Sequence, residues 1–247
     1  MNIESKEMVM IKTILFDLDG TLLPMDQDAF TKAYFKSLSE YLLPFGYEPK
    51  ELIDEICQGT NSMVNNRGGK TNESVFWEVF AKKYVNAEQD KPLFDKYYLT
   101  KFNELKKVCG FDNRVSKLIK LLKAKGFRLV LASNPVFPKE AQKSRMRWAG
   151  VEVEDFDYIT YYENSSYCKP NPAYYTTIAQ TLGVTPEECL MVGNDVDEDM
   201  VAESTGMKVF LLTNCLINRS RKNISVYPKG NFEQLLSYLE EFEMRRN

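Results

Sequence analysis

The first two strands that the sequence predicts lie more than a hundred residues apart, and this gap restricts the possible folds more than any other feature of the sequence. Residues 11–16 and 127–132 are short apolar runs, rich in Ile, Leu, Val and Phe, that are typical of buried strands. Between them apolar residues recur at helical spacing, for example at Phe30, Ala33, Tyr34, Leu38 and Tyr41. A long helical stretch between two core strands predicts a separate α-helical cap domain. We place the cap at residues 23–107 and the core domain at residues 1–22 and 108–247.

Helical and extended patterns alternate after the cap. The predicted strands of this part of the chain are residues 127–132, 157–161, 189–192 and 208–212. Helical patterns separate them, and the clearest are residues 139–148 and 172–182, with a last helix that carries Phe232 and Leu239. Such alternation is typical of a parallel sheet with crossover helices, so the sequence predicts an α/β fold.

Histidine is absent from the sequence, and this absence excludes several mechanisms. Without histidine there is no Ser-His-Asp or Cys-His catalysis, no phosphohistidine chemistry and no histidine-ligated zinc or iron. Acid-base chemistry must therefore use carboxylates, lysine, tyrosine or cysteine.

Charge and cysteine content exclude further classes. The net charge of −3 and the pI near 5.4 argue against a nucleic-acid partner. Five cysteines without a C-x-x-C pair argue against a disulfide framework and a zinc site. The segment Met1 to Met10 lacks the apolar run of a signal peptide, and no later run approaches the roughly 18 apolar residues of a membrane span. We therefore expect a cytoplasmic protein with no membrane partner.

Two aspartates and a glycine follow the first predicted strand, in the segment Phe16-Asp17-Leu18-Asp19-Gly20-Thr21. The ligand crevice of a parallel α/β sheet lies beyond the carboxyl ends of its strands. Two carboxylates separated by one residue are suited to act as nucleophile and proton donor, and Gly20 lets the chain turn without a side-chain clash. This segment therefore indicates an active site that handles phosphate.

Three later segments carry polar groups that suit the same chemistry. Ser133-Asn134 follows the second predicted strand, where a hydroxyl and backbone N–H groups can bind phosphate oxygens. Lys169 is a cation just before a predicted helix, and Pro170 biases it away from helical geometry. The loop from Gly193 to Asp199 is so rich in acids that it favours a bound cation, for which Mg²⁺ is the natural choice.

Each of these segments also has an ordinary interpretation. Ser133-Asn134-Pro135 has the form of a turn, Lys169 that of a surface charge, and the acidic loop that of a helix N-terminus. All of them occur in order, each after a predicted strand or before a predicted helix. This joint arrangement favours one shared site.

The four segments resemble the signature of the haloacid dehalogenase-like hydrolases, and the resemblance covers residues 11–212. It implies a Rossmann-like parallel sheet with a helical cap inserted after the first motif. It also implies that Asp17 is the nucleophile and Asp19 the general acid and base. Ser133 and Lys169 are expected to hold the transferring phosphoryl group, with Asn134 and Thr21 as further substrate contacts.

The resemblance implies a Mg²⁺ site built from acids of the first and fourth segments. Many relatives have Gly-Asp where this chain has Gly193-Asn194, so the metal-binding acid of this loop is Asp195, displaced by one position, or Asp199. Asp199 is alternatively expected to support Lys169. The candidate metal ligands are therefore Asp17, Asp19, Asp195 and Asp199.

Asp19 selects the branch of the family. An alkoxide leaving group needs a proton whereas a halide does not, so a second carboxyl favours cleavage of phosphate esters over dehalogenation. We expect a Mg²⁺-dependent phosphatase acting on a small phosphorylated metabolite through an aspartyl-phosphate. The alternatives are a phosphomutase or phosphotransferase that uses the same intermediate, and a non-catalytic relative that binds a phosphorylated ligand.

The cap is expected to set specificity. Its polar loop, residues 65–71, contains Arg67 and Lys70, which are candidates to meet a second anionic group of the substrate. The alternative for this loop is a solvated surface segment. The sequence predicts neither the identity of the substrate nor the oligomeric state.

Overall fold

The computed structural model describes residues 10–243, so most of the Met1 to Met10 segment lies outside the described residues. Six parallel strands form one sheet in the order β3-β2-β1-β4-β5-β6. Their bounds are Thr13–Phe16 (β1), Arg128–Leu131 (β2), Tyr158–Ile159 (β3), Cys189–Gly193 (β4), Lys208–Leu212 (β5) and Lys229–Gly230 (β6). The predicted α/β fold with a parallel sheet is confirmed.

The central strands are apolar on both faces because helices cover both sides of the sheet. Ile14 and Phe16 of β1 pack into one apolar cluster, whereas Leu15 between them packs into the other. Helix α7 (Pro172–Leu182) covers the face of Leu15. On the other face lie α5 (Arg114–Ala124), α6 (Lys139–Ala149) and α8 (Phe232–Glu243).

The order of the strands reverses beside β1. The chain passes from β1 to β2 and β3 on one side and then crosses to β4 on the other side. Phe16, the last residue of β1, pairs with Leu131 of β2 and Val192 of β4. The residues that follow these three strands therefore meet at one edge, which is where open α/β sheets bind ligands.

Four helices form the segment between β1 and α5. They are α1 (Gln27–Leu42), α2 (Pro49–Val64), α3 (Asn72–Phe80) and α4 (Ala87–Leu99), followed by a 3₁₀ segment, Lys101–Val108. The side chains of Asp26 and Thr71 cap α1 and α3 by accepting the N–H groups of Ala29 and Ser74. The helical insertion is as expected, while its exact limits at residues 23 and 107 stay a prediction.

The insertion and the sheet share one apolar cluster. The rings of Phe30 and Phe102 from the insertion both contact Phe137, which follows β2, with centroids 6.5 and 6.1 Å apart. Phe102 also stacks on Trp148 of α6 at 5.3 Å. This packing holds the helical insertion over the carboxyl ends of the strands.

Two features of the fold differ from or add to the sequence prediction. Strand β6, with two residues, is too short to produce an alternating pattern and was not predicted. The predicted strand 157–161 forms pairs only at Tyr158 and Ile159. Within residues 10–243, the helices are too short or too polar to cross a bilayer.

Candidate active site

Asp17 and Asp19 lie in the turn that follows β1, and the turn packs against the loop after β4. Gly20 adopts a φ of 88°, and a Cβ atom there would lie 2.3 Å from the amide nitrogen of Asn194. A glycine is therefore required for the two loops to approach each other. The hydroxyl of Thr21 donates a hydrogen bond of 2.9 Å to Oδ1 of Asn194 and joins the loops.

Lys169 connects the first segment to the fourth. Its Nζ lies 2.9 Å from Oδ1 of Asp17 and 2.6 Å from Oδ1 of Asp199, and the side chain is fully buried. Burial acts to lower the pKa of Lys169, but the two carboxylates outweigh it and raise this pKa well above its usual value. Lys169 is thus a fixed ammonium group, held after β3 next to a cis peptide bond to Pro170.

Asn134 and Ser133, which follow β2, support this arrangement. The Oδ1 atom of Asn134 accepts the backbone N–H of Lys169 at 3.2 Å, and its Nδ2 donates to Glu198 at 3.1 Å. The carbonyl oxygen of Ser133 accepts hydrogen bonds from Thr160 at 2.7 Å and Tyr174 at 2.9 Å. These contacts fix the backbone after β2 and leave the side chain of Ser133 on the wall of the cavity described below.

Asp199 is packed tightly under the loop that precedes it. Its Oδ2 accepts the N–H of Asp195 at 2.9 Å, while its Oδ1 holds Lys169. A Cβ atom on Gly193 would lie 2.1 Å from Oδ2 of Asp199, so this position also requires glycine. Asp199 therefore positions Lys169 instead of presenting a free carboxylate.

Carboxylates outnumber cations at this edge of the sheet. Burial raises the pKa of Asp17 to about 8, although Lys169 opposes the rise, and burial raises the pKa of Glu198 to about 7. Burial also raises the pKa of Asp195. Because burial penalises the charged forms of these carboxyl groups, an added cation would offset this penalty and favour their ionised forms.

Asp17 and Asp195 are the side chains best suited to hold a cation. Asp195 lines the same cavity as Asp17, with its Oδ1 accepting the N–H groups of Asp197 and Glu198. The amide of Asn194, by contrast, is occupied by hydrogen bonds to the hydroxyl of Thr21 and to the carbonyl of Cys215. Between residues 10 and 240 no three His, Cys, Asp or Glu side chains are grouped as ready-made metal ligands. Two carboxylates nevertheless fit Mg²⁺, which keeps several waters and binds substrate phosphate directly.

Arg145 of α6 is a site residue that the sequence patterns did not reveal. Its guanidinium forms an ion pair with Oδ2 of Asp19, bonds Gln142 and lies 4.5 Å from the ring centroid of Phe137. The side chain is 1% exposed. Burial raises the pKa of Asp19, although Arg145 opposes the rise. Ala141 and Trp148 lie four residues before and three residues after Arg145, so all three share the buried face of α6. A charged residue on an otherwise apolar helix face is the sequence signal that could have revealed Arg145.

A cavity of about 340 Å³ opens between the helical insertion and the carboxyl ends of the strands. Its sheet end is lined by Asp17, Asp19, Ser133 and Asp195, among other residues. The site is therefore large enough for a small molecule and brings the four sequence segments to one place.

The family model for haloacid dehalogenase-like hydrolases matches residues 11–202 of this chain. The chain belongs to this family. As a haloacid dehalogenase-like hydrolase it is an enzyme, and its parallel sheet agrees with that assignment.

Relatives of this hydrolase include named phosphatases. The glyceraldehyde 3-phosphate phosphatase of Methanothermobacter thermautotrophicus is 28% identical over 223 residues, covering 87% of this chain and 91% of the relative. The phosphoglycolate phosphatase of Aquifex aeolicus is 29% identical over 192 residues, covering 78% and 79%. A solved structure of the HAD-hydrolase YfnB from Bacillus subtilis, described as bound to magnesium, matches with a TM-score of 0.54 at 18% identity, covering 94% and 99%. That last similarity supports the fold.

Three residues that the sequence suggested as substrate contacts lie outside the cavity wall of the hydrolase. Lys169 is one of them and reaches the site through its contact with Asp17. Thr21 is buried with its hydroxyl on Asn194, so it joins two loops instead. Arg67 is exposed in the loop between α2 and α3 and does not line the cavity. Lys70 of the same loop forms an ion pair with Glu78 at 2.6 Å. The other predicted site residues converge as described above, and their catalytic roles stay a prediction.

Proposed function

We propose that this hydrolase is a Mg²⁺-dependent phosphatase that cleaves a small phosphorylated metabolite through an aspartyl-phosphate on Asp17. The observation that carries the proposal is the buried bridge from Lys169 to Asp17 and Asp199, at 2.9 and 2.6 Å. A fixed ammonium group orients Asp17 and favours its ionised, nucleophilic form. The phosphatase names of two relatives support the same reaction class.

Asp17 would attack the phosphorus in line with the departing oxygen. The new bond between a carboxylate oxygen and phosphorus forms as the bond to the leaving alcohol breaks. Oδ1 of Asp17 is held by Lys169, so its other carboxylate oxygen is the atom available for attack. The hydroxyl of Ser133 would donate to an equatorial phosphate oxygen as charge develops there.

Asp19 would move the proton. Its Oδ2 is held by Arg145, whereas its Oδ1 is buried with no hydrogen-bond partner among the described residues and would carry the proton that is given to the departing alkoxide. Asp19 then takes a proton from the water that attacks the aspartyl-phosphate. This step releases free phosphate and regenerates the carboxylate of Asp17. Arg145, which holds Oδ2 of Asp19, would fix this carboxyl in one orientation through both steps.

Asp17 and Asp195 would hold Mg²⁺ at the sheet end of the cavity. When bound, the ion supplies positive charge to the phosphate oxygens and offsets the repulsion among the surrounding carboxylates. The bound ion would stabilise the ionised forms of the buried acids whose pKa values are raised, namely Asp17, Asp195 and Glu198.

Release of phosphate from p-nitrophenyl phosphate is expected with Mg²⁺ and is expected to stop when a chelator removes the ion. Asp195→Asn should raise the Mg²⁺ concentration needed for half-maximal activity by roughly tenfold or more. Asp197→Asn is the matched control, because Asp197 lies in the same loop but pairs with Lys222 and the N–H of Ser220. Equal Mg²⁺ requirements in the two variants would refute the assignment of Asp195.

The products separate the proposed reaction from its rivals. Free phosphate with no dependence on an added alcohol or sugar phosphate marks a phosphatase. Transfer of the phosphoryl group to a second hydroxyl marks a phosphotransferase, and absence of both marks a relative that only binds its ligand.

Asp19→Asn is expected to affect substrates according to their leaving groups. An alkyl phosphate should lose roughly 10²–10⁴-fold in kcat, because its alkoxide needs a proton. p-Nitrophenyl phosphate should lose far less, because nitrophenolate departs without one. Measurement of kcat for both substrates checks this, and equal losses would argue that Asp19 does not act as the general acid.

A further inference from the structure

We propose that the alcohol portion of the substrate is apolar, so that the enzyme acts on a phosphate monoester of an alkyl or aromatic alcohol without a second anionic group. This inference rests on the proposed phosphatase function and specifies its substrate class. It follows from the walls of the cavity, which differ sharply between its two ends.

The end of the cavity that faces the helical insertion is aromatic. Helix α1 places three ring side chains on its wall and helices α3 and α4 place two each, and these are Phe30, Tyr34, Phe35, Phe76, Trp77, Phe94 and Tyr98. They continue directly from the carboxylate end, with Phe137 between them and Arg145. A phosphate at Asp17 would therefore direct the rest of its ester toward rings.

The polar atoms on these rings already have partners. The hydroxyls of Tyr34 and Tyr98 bond each other at 2.8 Å, and Nε1 of Trp77 lies 3.5 Å from the hydroxyl of Tyr162. A substrate hydroxyl held against these rings would have to break these pairs or stay without a partner, and either costs binding free energy. Gln27, Thr31 and Thr60 are the uncharged polar side chains from α1 and α2 that also line the cavity. An apolar group gains binding free energy when it leaves water and packs against the same wall.

The wall also lacks a cation for a second anionic group. Among the described residues that line the cavity there is no lysine and one arginine, Arg145, whose guanidinium is bound to Asp19 and Gln142. Asp95 adds a further carboxylate to the helical side of the wall. A carboxylate or second phosphate on the substrate would thus be buried among like charges. This arrangement disfavours phosphoglycolate, the substrate in the name of one relative.

The test compares kcat/KM of the full-length enzyme with Mg²⁺ for four substrates: benzyl phosphate, hexyl phosphate, glycerol 3-phosphate and phosphoglycolate. None of these has an activated leaving group, so differences report mainly on binding of the alcohol portion. We expect kcat/KM for the two apolar esters to exceed that for the two polar ones by about tenfold or more. Equal or reversed values overturn the inference while phosphate release upholds the proposed function. If the enzyme releases phosphate neither from these four esters nor from p-nitrophenyl phosphate, both the proposed function and the inferred substrate class are overturned.

A pair of variants tests the location of the apolar subsite. Phe35 lines the cavity from α1 and is partly exposed, so Phe35→Ser is expected to fold and to lower kcat/KM for benzyl phosphate by about tenfold. The same variant should change kcat/KM for glycerol 3-phosphate by no more than about twofold. Phe45→Ser is the matched control, because Phe45 is 52% exposed and lies outside the cavity wall. A loss for benzyl phosphate that is equal in both variants, or equal for both substrates, would contradict the assignment.

Discussion

Asp17→Asn is expected to lower kcat by roughly 10³-fold or more with every phosphate ester, since it removes the proposed nucleophile. The change is isosteric and removes a buried charge. Lys169 keeps its contact with Asp199 at 2.6 Å, so the fold should be retained. Steady-state release of phosphate measures the effect, and circular dichroism checks the fold.

Asp54→Asn provides the control for this variant. Asp54 is an exposed acid on α2 that does not line the cavity, so the change should leave kcat unaltered. If Asp17→Asn kept activity within tenfold of the native enzyme, the proposed nucleophile would be wrong. Water activated by another carboxylate would then have to attack phosphorus directly.

Lys169→Met is expected to lower both stability and activity. The change leaves Asp17 and Asp199 buried beside each other without their shared cation, and breaking a buried ion pair in this way typically costs about 3–5 kcal/mol of unfolding free energy. Activity should fall as well, because the orientation of Asp17 is lost. Urea unfolding and kcat/KM measure the two effects.

The stability deficit of Lys169→Met should depend on pH. Without the ammonium group, the pKa of Asp17, already raised by burial, rises further above its value in the unfolded chain. The folded variant therefore binds more protons than its unfolded form, and its stability falls as pH rises from about 4 through 8. The native enzyme, in which the pKa of Asp17 is already raised to about 8, shares this fall up to that pH, so the deficit should grow as pH rises through about 8 and should stay level below about pH 6.

Lys120→Met is the matched control for the buried lysine. Lys120 lies exposed on α5, so its replacement should change the unfolding free energy by less than about 0.5 kcal/mol at any pH. A similar small change for Lys169→Met would mean that the bridge to Asp17 and Asp199 does not carry the stability assigned to it.

The convergence of the site could be predicted from the sequence because strand ends carry positional information. Asp17, Ser133 and Asp195 follow β1, β2 and β4, and the carboxyl ends of neighbouring parallel strands necessarily lie together. Lys169 follows from the same logic, since it lies between β3 and α7 on that edge.

Side-chain direction could not be predicted in the same way. The choice between Asp195 and Asp199 as the metal-binding acid depends on which carboxylate is already occupied, and this is set by Lys169 and the N–H of Asp195, which hold the two oxygens of Asp199. Arg145 was missed for a related reason, because the helix pattern places it on the buried face of α6 but does not identify its partner Asp19, which is 126 positions away. Arg67 lies in a loop without periodicity, so no sequence pattern indicates whether its side chain reaches the cavity.

The central claim is that phosphorus becomes covalently bound to Asp17 during turnover. Excess enzyme is mixed with substrate and Mg²⁺, quenched within the first turnover and treated with borohydride, which reduces an acyl phosphate to an alcohol. Peptide mass spectrometry then locates the change. We predict reduction of Asp17 to homoserine, dependent on substrate and Mg²⁺. Complete release of phosphate with Asp17 unmodified at every quench time, or modification of another residue, would contradict the account.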